Sequence, residues 1–344
     1  MNLEEVKQFL KEYDGPQMRI MEVCGSHTAA ISKNGIRGML SPKIQLLSGP
    51  GCPVCVTPTA YVDRLVELAM TPDTCVVTFG DMLRVPGSKT SLSEATGLGA
   101  KAVMVYSPME IVQMAEKDPQ TTFVFAAVGF ETTTPVYALL MEEVIEKKLD
   151  NVKLLTALKT MPGVIDYLCR EGAKIQGFLA PGHVAAVTGS DIFKPLAEKY
   201  QIPFGVSGFE GEEILYALYG IVKEAGCGTV RNFYPQVVCA KGNEKAKTLV
   251  DKYFMQADAT WRGMGNIPKT GRVLRKEYEM YDAGSQQLNE DNKKNKVCCC
   301  DKILMGKMKP QECPLFGKVC KPLTPQGACM VSTEGSCHSA FTSV

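Results

Sequence analysis

From about residue 41 to residue 230 the chain alternates short apolar runs with longer segments of mixed polarity. The apolar runs fall at 44–47, 75–79, 102–106, 122–128, 152–158, 177–180 and 204–206. They are rich in Val, Ile, Leu and Phe and are bounded by Gly, Pro or polar residues, the signature of buried strands. Between them, 59–70, 108–117, 135–148, 163–171 and 211–225 carry the helical period. Buried strands separated by helices imply βαβ units and parallel sheets. The strands are too many for one small sheet, so the pattern predicts two α/β units, 41–118 and 119–229, dividing at Asp118 and Pro119. An internal duplication is conceivable on this layout, but no convincing sequence repeat accompanies it.

Outside this region the pattern changes. Residues 3–13 read as a helix and 19–23 as a strand. After residue 230 there is one clear helix, 244–255, then a glycine-containing stretch with the sole tryptophan, Trp261. The polar run 286–296 reads as an exposed connector. Beyond it lies a Pro- and Gly-containing tail, expected to form loops around a metal centre. On pattern alone the first 40 residues can pack on either neighbouring unit.

Composition adds three exclusions. The chain is 45% hydrophobic and 22% charged, as globular proteins are. Its 38 basic and 37 acidic residues leave a net charge of +1, so nothing electrostatic predicts nucleic acid or an anionic membrane as a partner. No apolar run approaches the roughly 20 residues of a membrane-spanning helix, and the first ten residues lack the pattern of a secretory signal.

Cysteine is the abnormal count. There are 14, and seven of them lie between Cys298 and Cys337. In a reducing cytoplasm stable disulfides are not expected, so this many thiols indicates metal or redox chemistry.

Five loops stand at the carboxyl ends of predicted strands, where parallel sheets bind ligands. They contain Cys24 and His27; Gly49-Pro50-Gly51-Cys52-Pro53-Val54-Cys55; Gly129-Phe130-Glu131; Pro181-Gly182-His183; and Gly208-Phe209-Glu210. Cys52 and Cys55 form the strongest signal. Their spacing brings two sulfurs together, and a helix start at this point would lower a thiol pKa. The alternatives are half of a zinc site, or incidental thiols; a zinc site normally pairs two such hooks, and no second Cys-x-x-Cys is present. His27 and His183 are each a candidate ligand, proton acceptor or packed histidine. Glu131 and Glu210 are each a candidate cleft carboxylate or helix cap. No G-x-G-x-x-G, phosphate loop or G-x-S-x-G elbow accompanies these loops.

In the tail, Cys298, Cys313, Cys320 and Cys337 provide four thiolates at the long, uneven spacings that a [4Fe–4S] cluster tolerates. Cys300 and Cys329 are alternates, or a redox pair beside the cluster. Zinc would more often show two tight hooks.

Taken in order, Met21-Glu22-Val23-Cys24-Gly25-Ser26-His27-Thr28, the Gly49–Cys55 loop, Gly129-Phe130-Glu131-Thr132-Thr133, Pro181-Gly182-His183, Val206-Ser207-Gly208-Phe209-Glu210 and Cys329-Met330-Val331-Ser332-Thr333-Glu334-Gly335-Ser336-Cys337 resemble the HypD family of [NiFe]-hydrogenase maturation factors. The resemblance covers about residues 18 to 338. It implies two similar α/β domains and a smaller iron–sulfur domain built from both chain ends, 1–40 and 230–344. It implies assembly of the Fe(CN)2CO unit in complex with a small HypC-type chaperone, with cyanide delivered by HypE/HypF-type proteins, in the cytoplasm. By resemblance Cys24 is the candidate ligand of the transiently bound iron, His27 lies beside that iron, and Cys52 and Cys55 are the candidate redox pair. Cys299 is an extra thiol relative to the family pattern. The competing expectation is a stand-alone, cluster-dependent thiol–disulfide oxidoreductase acting through Cys52 and Cys55.

Overall fold

The computed structural model describes residues 2–292 and 295–342. Its strands are β1 (Met18–Glu22), β2 (Ile44–Ser48), β3 (Thr74–Thr78), β4 (Ala102–Met104), β5 (Thr122–Gly129), β6 (Val152–Lys159), β7 (Gly177–Pro181), β8 (Phe204–Ser207), β9 (Val230–Asn232), β10 (Phe254–Trp261) and β11 (Gly265–Leu274). They form two sheets, as the alternation of apolar runs and helices predicts. The first has the order β2-β1-β7-β8-β9 and is parallel throughout. The second has the order β10-β11-β6-β5-β3-β4. It is parallel from β6 to β4 and ends in the antiparallel β10–β11 hairpin.

Local sequence explains the elements. β5 reads TFVFAAVG and is buried along nearly its whole length, as a central parallel strand covered on both faces must be. The first helix, Leu3–Glu12, starts at Asn2 with a capping box to Glu5 and buries Val6 and Leu10. Those two side chains join Ile214, Leu218 and Ile221 of the helix Gly211–Lys223, so the N-terminal segment completes a core of the first sheet.

Sheet membership crosses the expected division at Asp118 and Pro119. β5 and β6 pair with β3, not with β7 and β8. β1, expected outside both α/β units, is the second strand of the first sheet, and β10 and β11 extend the second. The chain thus visits the first sheet, the second, the first again and then the second. This order cannot be read from local pattern, because register and partner are non-local.

The hairpin was not foreseen. FMQADATW lacks a clean alternation, and its apolar residues bury only at the ends, where Phe254, Thr260 and Trp261 reach the core. Gly263 at φ +75° and Gly265 at φ +79° make the tight connection. Of the polar run 286–296, residues 293 and 294 lie outside the described residues. No helix among the described residues is long and apolar enough to cross a membrane.

Candidate functional site

Four of the five predicted loops lie on one sheet. β2, β1, β7 and β8 are consecutive parallel neighbours, so their carboxyl ends open on the same side. This gathers Cys24 and His27, Cys52 and Cys55, His183, and Phe209 along one edge, although they span almost 190 residues of sequence. The fifth loop follows β5 in the second sheet.

Cys24 is the N-cap of the helix Gly25–Lys33, where the sequence pattern predicts a loop. Its thiol is nearly buried, and burial pushes its pKa up to about 12. The N–H groups of His27 and Ser26 act the other way and favour the thiolate, without closing a full cap hydrogen bond. The carboxylate of Glu334 opposes them. Directly beneath lies Glu22, buried, accepting from the Cys24 N–H at 3.2 Å and from Thr28 Oγ1 at 2.5 Å. Burial raises its pKa to about 7. Glu22 was not singled out from sequence; the available signal was one carboxylate in the otherwise apolar run MRIMEV.

His27 is fully buried. Its Nε2 donates to the Gly208 carbonyl at 2.9 Å, because a carbonyl can only accept. Nδ1 is therefore the unprotonated nitrogen, and it has no hydrogen-bond partner. Burial lowers the pKa to about 4, so the ring is neutral at pH 7 with one uncommitted lone pair. Phe209 sits between the two histidines, its centroid 4.8 Å from that of His27 and 3.9 Å from that of His183. His183 is exposed on the outer side of this stack.

The Cys52–Cys55 segment is a turn, and the next helix, Thr59–Met70, begins only after Pro58. No helix therefore starts at Cys52 or Cys55 to lower a thiol, contrary to the expectation from spacing. Cys55 is fully buried, and burial together with the Cys329 and Cys52 thiols pushes it well above the ordinary thiol range. The two sulfurs lie 2.6 Å apart, and the Cys55 N–H donates to Cys52 Sγ at 3.3 Å. All 14 cysteines are free thiols.

The tail folds across the same edge. Glu334 accepts from Ser26 Oγ at 2.7 Å, and Ser339 Oγ donates to the Thr28 carbonyl at 3.3 Å. Six tail thiols, Cys298, Cys300, Cys313, Cys320, Cys329 and Cys337, line one small apolar cavity. Cys298 and Cys300 are 3.4 Å apart. A β-carbon on Gly327 would lie 2.7 Å from Cys298 Sγ and 3.1 Å from Cys300 Sγ, so glycine leaves the room that these sulfurs occupy. Cys329 touches Cys300, Cys337 and Cys55, and so joins the cavity to the dithiol. Cys299 is half-buried and does not line the cavity. Among the described residues no set of three or more His, Cys, Asp or Glu side chains closes around a single ion. An apolar lining with six thiols among its side chains fits a multi-iron cluster, whose ligands stand further apart than those of one ion.

Two predicted residues lie apart from the thiols. Glu131 Oε1 accepts from the Met161 N–H at 2.8 Å, and Oε2 has no partner. Its carboxyl opens on a cavity lined by Thr134, Thr160, Asp166 and Arg272, with no cysteine. Glu210 is exposed and caps the helix Gly211–Lys223.

Two parallel-dominated sheets, with a thiol array over the strand ends of one of them, define a cysteine-centred α/β protein. A family model described as "HypD: Hydrogenase formation hypA family" matches residues 2–343. The chain is 39% identical over 336 residues to the hydrogenase maturation factor HypD of Rhizobium leguminosarum bv. viciae, covering 93% of this chain and 87% of that one. It is 38% identical over 334 residues to HypD of Escherichia coli strain K12, covering 94% and 88%. The chain belongs to the HypD family of hydrogenase maturation factors.

Proposed function

We propose that this chain is the scaffold on which the Fe(CN)2CO unit of [NiFe]-hydrogenase is assembled, in the cytoplasm, in complex with a HypC-type chaperone and supplied by HypE/HypF-type cyanide donors. The iron is cargo. Cys24 Sγ is its ligand from this chain, and deprotonation of that buried thiol accompanies metal binding. The Ser26 and His27 N–H groups at the helix start favour the negative sulfur. His27 remains neutral, with Nδ1 available to the iron or to a proton on an incoming ligand. Sulfur ligation suits an electron-rich iron that accepts cyanide and CO.

The tail thiols are the resident cofactor's donors: Cys298, Cys313, Cys320 and Cys337, with Cys300 and Cys329 as alternates. A [4Fe–4S] cluster held there supplies one-electron chemistry. Cys52 and Cys55 store two electrons as a dithiol and release them, with two protons, on closing to a disulfide. Cys329 is the contact through which the dithiol meets the tail.

The observation that carries this reading is the convergence of Cys24, His27, Cys52 and Cys55 at consecutive parallel strand ends, with the thiol-lined cavity against Cys55. Burial of Cys52 and Cys55 disfavours a stand-alone reductase, because a protein disulfide has no access to them. The test is Cys24→Ala in complex with the chaperone. It should retain iron and sulfide in the tail and lose the cyanide and CO infrared bands. Persistence of those bands removes Cys24 from the iron.

A further inference from the structure

Lys159 is the last residue of β6, at the carboxyl end of a parallel strand in the second sheet. That position serves ligands in parallel sheets, yet the thiol site lies on the other sheet and makes no use of it. The side chain is 2% exposed. Among the described residues its Nζ has no hydrogen bond and no ion pair, and it stands over the ring of Trp261, 5.8 Å from the centroid.

A second buried cation stands beside it. Arg262, at the hairpin tip, is also 2% exposed. Its Nε donates to the Thr57 carbonyl at 2.6 Å and its Nη2 to the Pro86 carbonyl at 3.3 Å, both neutral acceptors. The carboxylate that faces Lys159 is Asp291, and its oxygens are already engaged. Oδ1 accepts from the Thr59 N–H at 3.2 Å and Oδ2 from the Gly263 N–H at 2.7 Å. The carboxylate facing Lys159 is thus turned toward backbone donors, and the Arg262 charge acts on the Cys300 thiol as well. Burying a charge without a partner is costly, and an anion bound beside it would offset that cost.

Room for a ligand is present. Lys159, Tyr61, Ala259, Thr260 and Leu288 line a cavity of about 780 Å³ between β6 and the hairpin. Asp258 and Glu279 also line it, but they are exposed at its mouth, where water screens them. Asp282, a third lining carboxylate, accepts from Ser285. Arg272 and Lys276 stand on the same rim.

We propose that this cavity binds a small oxyanion, a carboxylate or phosphate group, with Lys159 as its counter-ion and Arg262 adding to the field. The occupant restores the missing negative charge at the inner end of the cavity. A lysine ammonium is a compact point charge with three donors, suited to either kind of oxyanion.

Trp261 is the only tryptophan and stands against Lys159, so its emission reports on the site directly. The full-length chain, without metal or partner, is titrated with butyrate and separately with inorganic phosphate, at constant ionic strength held by chloride. A saturable change in emission is expected with at least one of them. Phosphate alone saturating assigns an inorganic or phosphoryl oxyanion; butyrate alone assigns a carboxylate. Lys159→Met keeps the stem and removes the charge, and should weaken the binding at least tenfold. Lys159→Arg should retain it within a few-fold, which separates charge from packing. Absence of saturation by both probes at millimolar concentration overturns the proposal, as does an unchanged curve in Lys159→Met. Neither result bears on hydrogenase maturation, because no iron, cluster or chaperone is present in the experiment.

Discussion

Gly51 lies against Cys24 so closely that a β-carbon on it would stand 2.2 Å from the Cys24 backbone nitrogen. The Gly25 N–H donates to the Gly51 carbonyl at 3.0 Å across the same contact. The two cysteine loops are therefore one unit: the dithiol turn after β2 is seated on the start of the Cys24 helix after β1. The obstructing atoms are backbone, which cannot swing aside as a side chain can.

Gly51→Ala should accordingly destabilise the protein by about 2–3 kcal/mol through overpacking, or displace the Cys24 loop. Either outcome should abolish maturation of hydrogenase in a complemented strain. Gly38→Ala is the control, since a β-carbon there meets nothing within 4 Å. Thermal unfolding of both variants makes the comparison. Equal stability of Gly51→Ala and the parent, with maturation intact, would contradict the contact.

The carboxyl-end loops were legible because glycine, proline or cysteine interrupts each apolar run within two residues of its end. Their meeting was not, because adjacency of β2, β1, β7 and β8 is a matter of long-range pairing. A helix start would lower one thiol of the Cys52–Cys55 pair, but burial raises Cys55, and that burial depends on a tail more than 270 residues away, where Ala328 and Cys329 cover it. Glu131 shares its Gly-Phe-Glu pattern with Glu210, but the two strands preceding them belong to different sheets. Lys159 and Arg262 gave no signal, since isolated basic residues in a sequence are normally solvated.

Arg262 holds the base of the dithiol turn. Its backbone N–H donates to the Val56 carbonyl at 2.8 Å, and its side chain reaches the Thr57 and Pro86 carbonyls. Arg262→Gln should orphan buried carbonyls and cost about 2 kcal/mol, partly offset by relief of repulsion on Lys159. Urea unfolding of the variant checks this. A change below about 0.5 kcal/mol would mean that water replaces the guanidinium at no loss.

Lys159 makes stability depend on pH in a definite direction. Burial, with Arg262 adding to it and Asp291 opposing it, lowers the pKa from 10.5 to about 7. The folded state therefore disfavours the charged form. Below pH 7 the group is protonated in both states and the cost is complete. Between pH 7 and 10.5 the unfolded chain binds the extra proton, so stability rises with pH. The whole effect is on the order of 5 kcal/mol as an upper bound. In chloride buffer Lys159→Met should be the more stable protein at pH 7, and its advantage should shrink as pH rises toward 10. An advantage independent of pH would show that the amine carries no buried charge.

The central claim is that the tail thiols hold an iron–sulfur cluster next to an iron-carrying cysteine. Iron and acid-labile sulfide, measured on anaerobically reconstituted full-length protein, test it most directly. About four iron and four sulfide per chain are expected. Stoichiometric zinc without sulfide, or a colourless protein holding neither, would contradict it.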